Sequence, residues 1–122
     1  MNTAGIIGMI FLGGGLGSLS RFGVGAMAHK FYKGGFPIGT LIANTVACLI
    51  LGLMVYYFRE RIEQNDWIKY LIVIGFCGGF STFSTFSLDT VKLMQDQLYM
   101  YAILNILISL ALGIGILIVL TK

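Results

Sequence analysis

The chain has 122 residues, of which 57% are hydrophobic and only 11% charged, with a mean hydropathy of +0.91. Soluble domains carry about 25% charged residues, so these values exclude a soluble globular fold and leave one integral membrane domain, residues 1–122. The net charge of +3 comes from scattered basic residues that flank apolar spans, which excludes a nucleic-acid surface.

The first apolar span covers about residues 4–28. No Lys or Arg precedes it, Arg21 lies within it, and it is longer than a signal-peptide core, so it reads as a retained helix. Gly13 and Gly17 form a small-xxx-small pair, which lets two helices approach closely in lipid. Arg21, one turn further on, admits two roles. It could snorkel to the headgroups, or it could place a charge at the mouth of an aqueous vestibule, since ionisable residues inside membranes are usually functional. Residues 29–35 read as a polar turn, with His29 a solvated loop residue.

The second span covers residues 36–58, and at ~1.5 Å per residue it reaches about 34 Å, enough to cross the hydrocarbon core. Pro37 suits the first turn of a helix. Thr40 and Asn44 are four apart and share a face. A buried Asn44 amide needs partners for two donors and an acceptor; either an interhelical hydrogen bond or a ligand would supply them. Residues 59–66 (RERIEQND) read as a charged connecting loop, followed by Trp67 and Tyr70 as interfacial aromatics.

The third span, about residues 67–91, contains the most informative stretch of the chain, GFCGGFSTFSTFS at residues 75–87. Gly75, Gly78 and Gly79 weaken a helix, and five of the seven residues from 81 to 87 carry hydroxyls. In lipid, polar or irregular backbone persists only where protein buries it or water reaches it. A break near the glycines would release carbonyls suited to a hard cation. Phe83 and Phe86 share a helical face with hydroxyls on either side. Asp89, the only acid within a span, admits a vestibule charge but reads first as a helix-end residue. Cys48 and Cys77 lie in apolar spans without a CxxC or Cys/His pattern and read as packing residues.

The fourth span covers residues 98–120, after a last polar turn at residues 92–97. Tyr101, Asn105 and Ser109 recur at four-residue intervals and form a polar stripe on an apolar helix. Four spans place both termini on one side, with Arg59, Arg61, Lys69 and Lys122. The other side has Lys30, Lys33, Lys92 and Arg21. Orientation follows Lys/Arg bias; a balance of four against four predicts insertion in both orientations and an antiparallel, dual-topology dimer.

Three stretches together resemble the Fluc (CrcB) family of fluoride channels: Gly13, Gly14, Gly17 and Arg21 in the first span; Gly39, Thr40, Leu41, Asn44 and Gly52 in the second; and GFCGGFSTFSTFS in the third. The last is close to the family's GxxGGxTTFSTF signature. Ser81 replaces the usual Thr, Ser18 an Ala, Phe22 a Tyr and Ala47 a Gly, and none of these removes a hydrogen-bonding group that the family's pore needs.

The resemblance implies an all-α fold of four transmembrane helices, the third broken near its middle, in an antiparallel dimer with two pores along its interface. It implies passive export of fluoride across a bacterial inner membrane, and a central structural sodium held by carbonyls at Gly78 and Ser81 of both chains. The anion pathway it implies comprises Phe83, Phe86, Asn44, Thr40, Tyr101 and Ser109, with Asn105 a further candidate and Arg21 in the vestibule. The implied partners are fluoride, the bilayer, and a second copy or an oppositely oriented paralogue. The residues themselves support a small-anion path; fluoride as the ion comes from the resemblance alone.

A small dual-topology multidrug transporter is the nearest rival, but it needs a membrane-buried carboxylate, and no acid precedes Asp89 in the first three spans. A non-conducting scaffold subunit would account for the glycines but not for the hydroxyl run. An enzyme would need a nucleophile–base pair or a metal cluster, and the sequence has neither.

Overall fold

The computed structural model describes residues 2–122, and among them every regular element is helical. Helix α1 covers Thr3–Phe31 and α2 covers Ile38–Ile62. The third span runs Trp67–Gln95 and is built from two helices. Of these, α3 is a π-wound segment, Trp67–Cys77, ending in one α turn, Gly78–Phe80; α4 is Phe83–Gln95. Helix α5 covers Tyr99–Leu120. Each of the four spans is long and apolar enough to cross a membrane.

Local chemistry sets several of the ends. Asn2 caps α1 by accepting from the Gly5 N–H at 2.9 Å. Pro37 precedes α2, and its carbonyl takes the first helical bond from the Leu41 N–H at 3.2 Å. Helix α4 closes in a Schellman motif: the Leu98 N–H reaches Leu93 O at 2.8 Å and the Gln97 N–H reaches Met94 O at 3.0 Å, with Gln97 at φ 61°. The helices also extend beyond the predicted spans. Residues 29–31, 59–62 and 92–95 are helical rather than turn or loop, because a helix needs no apolar residues to continue into water.

Glycine controls how closely the helices approach. Helix α1 packs along α3, α2 along α5, and α4 against α5. At the α1–α3 contact, a Cβ on Gly13 would meet the backbone of Leu71, Gly75 and Phe76, and one on Gly17 the backbone of Phe76, Gly79 and Phe80. A Cβ on Gly79 would strike Gly14 in turn. These backbones touch with no side chain between them, the arrangement that replaces hydrophobic driving force in lipid. A small core of Ala43, Ala47 and Phe80 sits beside this contact, with Val24, Val46, Ile50 and Phe76 around it.

The third span is interrupted at Ser81 (φ −82°, ψ 158°) and Thr82 (φ −154°, ψ 123°), both extended. The three glycines that precede them are helical. Gly75 and Gly79 serve the contact with α1; the backbone leaves the helix one turn later than the glycines suggest.

Candidate functional site: the interrupted third span

Ending one helix and starting another in mid-membrane strands several backbone groups, and side chains take up some of them. Thr82 Oγ1 caps α4 by accepting from the Thr85 N–H at 3.1 Å. The Thr82 N–H donates to Asn44 Oδ1 at 2.7 Å, and Asn44 Nδ2 donates back to Thr82 O at 3.1 Å. The Gly79 carbonyl accepts from Arg21 Nε at 3.1 Å. Ser81 Oγ donates to Cys77 O at 2.8 Å, so this hydroxyl is turned back onto its own helix.

Among the carbonyls left over are those of Gly78 and Ser81. Gly78 O would receive the Thr82 N–H in a continuous α-helix, but that N–H is held by Asn44. Ser81 O would receive the Thr85 N–H, but that one is held by Thr82 Oγ1. Among the described residues neither carbonyl accepts a hydrogen bond outside the helical ladder. Gly78 is exposed, and a Cβ there would meet nothing within 4 Å.

Two concave surfaces flank the interruption. One, of about 440 Å³, is lined by residues that include Arg21, Thr40 and Thr85. The guanidinium of Arg21 turns inward to α3 rather than outward along lipid. On the same wall Thr40 Oγ1 donates to Asp89 Oδ2 at 2.7 Å. Asp89 lies mid-way along α4, not at a helix end, so its expected role is corrected: α4 runs four residues past the predicted end of the span, and the carboxylate faces α2.

The second concavity is a groove of about 260 Å³ whose lining includes Asn44, Phe83, Phe86 and Ser109. The Phe83 and Phe86 rings lie 6.1 Å apart at 42°, and Phe83 is 80% exposed. Asn44 lines this groove, and of the two hydrogens on its Nδ2 one is used on Thr82.

The stripe on α5 divides in three. Ser109 lines the groove. Asn105 is 1% exposed, and its Nδ2 donates to Thr90 Oγ1 at 3.0 Å, joining α5 to α4. Tyr101 packs edge-on against Phe36 at 5.6 Å, near the α1–α2 loop, away from the groove lining. Cys48 also lines the groove, one turn beyond Asn44 on the face begun by Thr40. The four-residue spacing of Thr40, Asn44 and Cys48 was the signal that could have found it. The Thr40–Asp89 bond had no such signal, because its partners are far apart in the chain.

Four helices of membrane-spanning length, with a mostly apolar groove beside the interruption of the third, define a multi-pass membrane protein. The chain belongs to the family described as CrcB-like protein, Camphor Resistance (CrcB), whose profile matches residues 8–121. It is 41% identical over 108 residues to the fluoride-specific ion channel FluC of Coxiella burnetii (strain CbuK_Q154), covering 88% of this chain and 87% of that one. It is 40% identical over 115 residues to a protein of the same name from Vibrio parahaemolyticus, covering 94% and 91%. The Serratia proteamaculans protein of that name matches at 41% over 102 residues, covering 84% and 80%. These relatives are ion channels, not enzymes.

Proposed function

We propose that the chain is a fluoride channel of the bacterial inner membrane that lets fluoride leave the cytoplasm passively, and that it works as an antiparallel dimer with two pores. The observation that carries this reading is the groove beside the interruption, where the exposed Phe83 ring stands with Phe86, Asn44 and Ser109.

An anion that leaves water loses strong hydrogen bonds, and an isolated charge in an apolar site is prohibitively costly. Asn44 offers an N–H to replace them, and the Ser109 O–H, which donates to Asn105 Oδ1 at 3.4 Å in the single chain, joins it by turning from that bond. The edges of Phe83 and Phe86 are electropositive because of the ring quadrupole. Edge contacts are individually weak, which suits conduction: an ion has to bind well enough to enter and loosely enough to leave. The concavity of Arg21, Thr40 and Thr85 supports a vestibule on the other side of the interruption. Tyr101 extends the polar path toward the α1–α2 loop, while Asn105 supports it from within by fixing α4 on α5.

The second copy follows from the open side of the groove. Gly78, Phe83 and Ser84 are all exposed around the interruption, a mixed polar surface within the third span. Lipid covers such a surface poorly, and a facing copy would complete it. The balanced basic residues support inverted insertion of that copy.

A structural sodium fits the residues present. Gly78 O and Ser81 O are hard oxygen donors without a hydrogen-bond partner outside the helical ladder, and Gly78 is exposed. The matching pair on the second copy would complete the set. The ion would add a fixed positive charge beside the anion path.

Fluoride efflux from proteoliposomes, read with a fluoride electrode, tests the proposal. Efflux that is passive, independent of a proton gradient and absent for chloride is the expected result. Proton-coupled flux would favour an exchanger, and no flux would favour a scaffold subunit.

A further inference from the structure

The far end of α2 carries a feature that the anion path does not use. Phe58 leaves helical geometry, at φ −128° and ψ 23°, although neither proline nor glycine stands beside it. The bend opens a largely polar notch of about 430 Å³ lined by Tyr56, Tyr57, Phe58, Arg59, Glu60 and Arg61. Both tyrosines are exposed, with their rings edge-to-face at 4.9 Å.

The notch sits where the second apolar span ends, and Trp67 stands exposed at the adjoining start of α3. Exposed Tyr and Trp at the end of a span mark headgroup depth. The two arginines differ in use. Arg59 Nη2 donates to the Thr121 carbonyl at the end of α5, pinning the bend to the neighbouring helix. Arg61 has no ion-pair or hydrogen-bond partner for its side chain among the described residues. Glu60 offsets one of the two positive charges, leaving the notch at about +1.

We infer that this notch binds the phosphodiester headgroup of an anionic phospholipid, one per chain, with Arg61 as the ionic contact and the Tyr56 and Tyr57 hydroxyls as donors. A guanidinium fork matches phosphate oxygens. A net charge of one complements a singly charged headgroup, and the depth of the notch places it where such headgroups lie. Nothing in the inference depends on what the groove conducts.

The test uses the purified, detergent-solubilised full chain and asks whether lipid raises its melting temperature. Phosphatidylglycerol is titrated against phosphatidylcholine of the same acyl chains, and native mass spectrometry counts bound lipid. Phosphatidylglycerol is expected to stabilise the protein at lower concentration than phosphatidylcholine. Arg61→Gln spares the Arg59–Thr121 bond and is expected to weaken phosphatidylglycerol about fivefold. Tyr57→Phe provides a second variant should Arg61→Gln fail to fold, and it is expected to weaken the same lipid. Lys33→Gln, a basic residue at the other end of the spans, is expected to change nothing. The inference is overturned if the folded Arg61 or Tyr57 variant binds phosphatidylglycerol as the parent does. It is overturned equally if Lys33→Gln weakens the lipid as much as Arg61→Gln, or if inorganic phosphate alone reproduces the stabilisation.

Discussion

Asn44 and Thr82 hold each other through both ends of one amide: Oδ1 accepts the Thr82 N–H at 2.7 Å while Nδ2 donates to Thr82 O at 3.1 Å. One side chain of α2 thereby satisfies the backbone that the third span releases, and by holding the Thr82 N–H it keeps Gly78 O out of the helical ladder. Asn44→Ala leaves a donor and an acceptor unpaired, and the expected loss is about 2 kcal/mol of stability. Asn44→Asp keeps the acceptor for the Thr82 N–H but sets a carboxylate oxygen against Thr82 O, so it is expected to lose stability as well and to reduce fluoride flux. Melting temperature and flux measured on both variants check this. Parent-like stability in Asn44→Ala would remove the clamp.

The glycines divide by what a methyl group would meet. At Gly17 and Gly79 a Cβ would collide with backbone of the opposing helix, which has little freedom to yield. At Gly8 and Gly15 nothing lies within 4 Å. Gly17→Ala and Gly79→Ala are expected to separate α1 from α3 and lower yield and melting temperature, whereas Gly8→Ala and Gly15→Ala are expected to fold as the parent does. Gly78 is the informative case, because its Cβ is also free within the chain. If the exposed face is the dimer contact, Gly78→Ala gives a folded chain with weakened dimerisation, read by elution in detergent. Unchanged elution and flux would place the contact elsewhere.

The four spans were legible because hydropathy reports burial in lipid directly, and it requires no tertiary information. The site was legible only where its residues repeat at helical spacing, as Thr40 and Asn44 do. The position of the interruption was not. Glycines 75, 78 and 79 signal a weak helix, yet they remain helical, because Gly75 and Gly79 are needed for backbone contact with α1. What holds Thr82 extended is a side chain 38 positions earlier in the chain, and no local pattern encodes it. The same reasoning covers Asp89 and Arg21, whose partners Thr40 and Gly79 O lie on other helices. The π winding of Trp67–Cys77 has no counterpart in any local pattern of its residues.

Sodium dependence separates backbone from side-chain ligation. Ser81 Oγ is committed to Cys77 O, so the hydroxyl is not the expected ligand. Ser81→Ala is expected to keep both flux and its response to sodium. Replacing sodium by a large organic cation on both sides of the membrane is expected to suppress flux in the parent and in Ser81→Ala alike. Flux indifferent to that exchange would remove the metal from the mechanism.

Orientation follows from the basic residues. Under the proposed topology Arg59, Arg61, Lys69 and Lys122 lie toward one side and Arg21, Lys30, Lys33 and Lys92 toward the other, an even count that favours neither orientation. A cysteine tag at the C-terminus is expected to react from both sides of intact cells in comparable amounts. Adding two lysines to the α1–α2 loop is expected to bias insertion and reduce the yield of dimer. A tag that reacts from one side only would require an oppositely oriented paralogue as the partner.

The phenylalanine pair gives the sharpest test of the anion path. Phe83 is 80% exposed and its ring lies 6.1 Å from that of Phe86, across a groove that also holds Asn44 and Ser109. Isoleucine keeps apolar bulk but has no electropositive edge, so Phe83→Ile and Phe86→Ile are expected to fold and dimerise while losing most fluoride flux. Methionine is apolar and polarisable, so Phe→Met at either position is expected to retain an intermediate flux. The two positions should also differ in stability: Phe86 is half-buried and its replacement leaves a partial cavity, whereas Phe83 has little packing within the chain to lose. Flux per dimer and melting temperature on each single variant separate these effects. Normal flux in both isoleucine variants would assign the rings to packing.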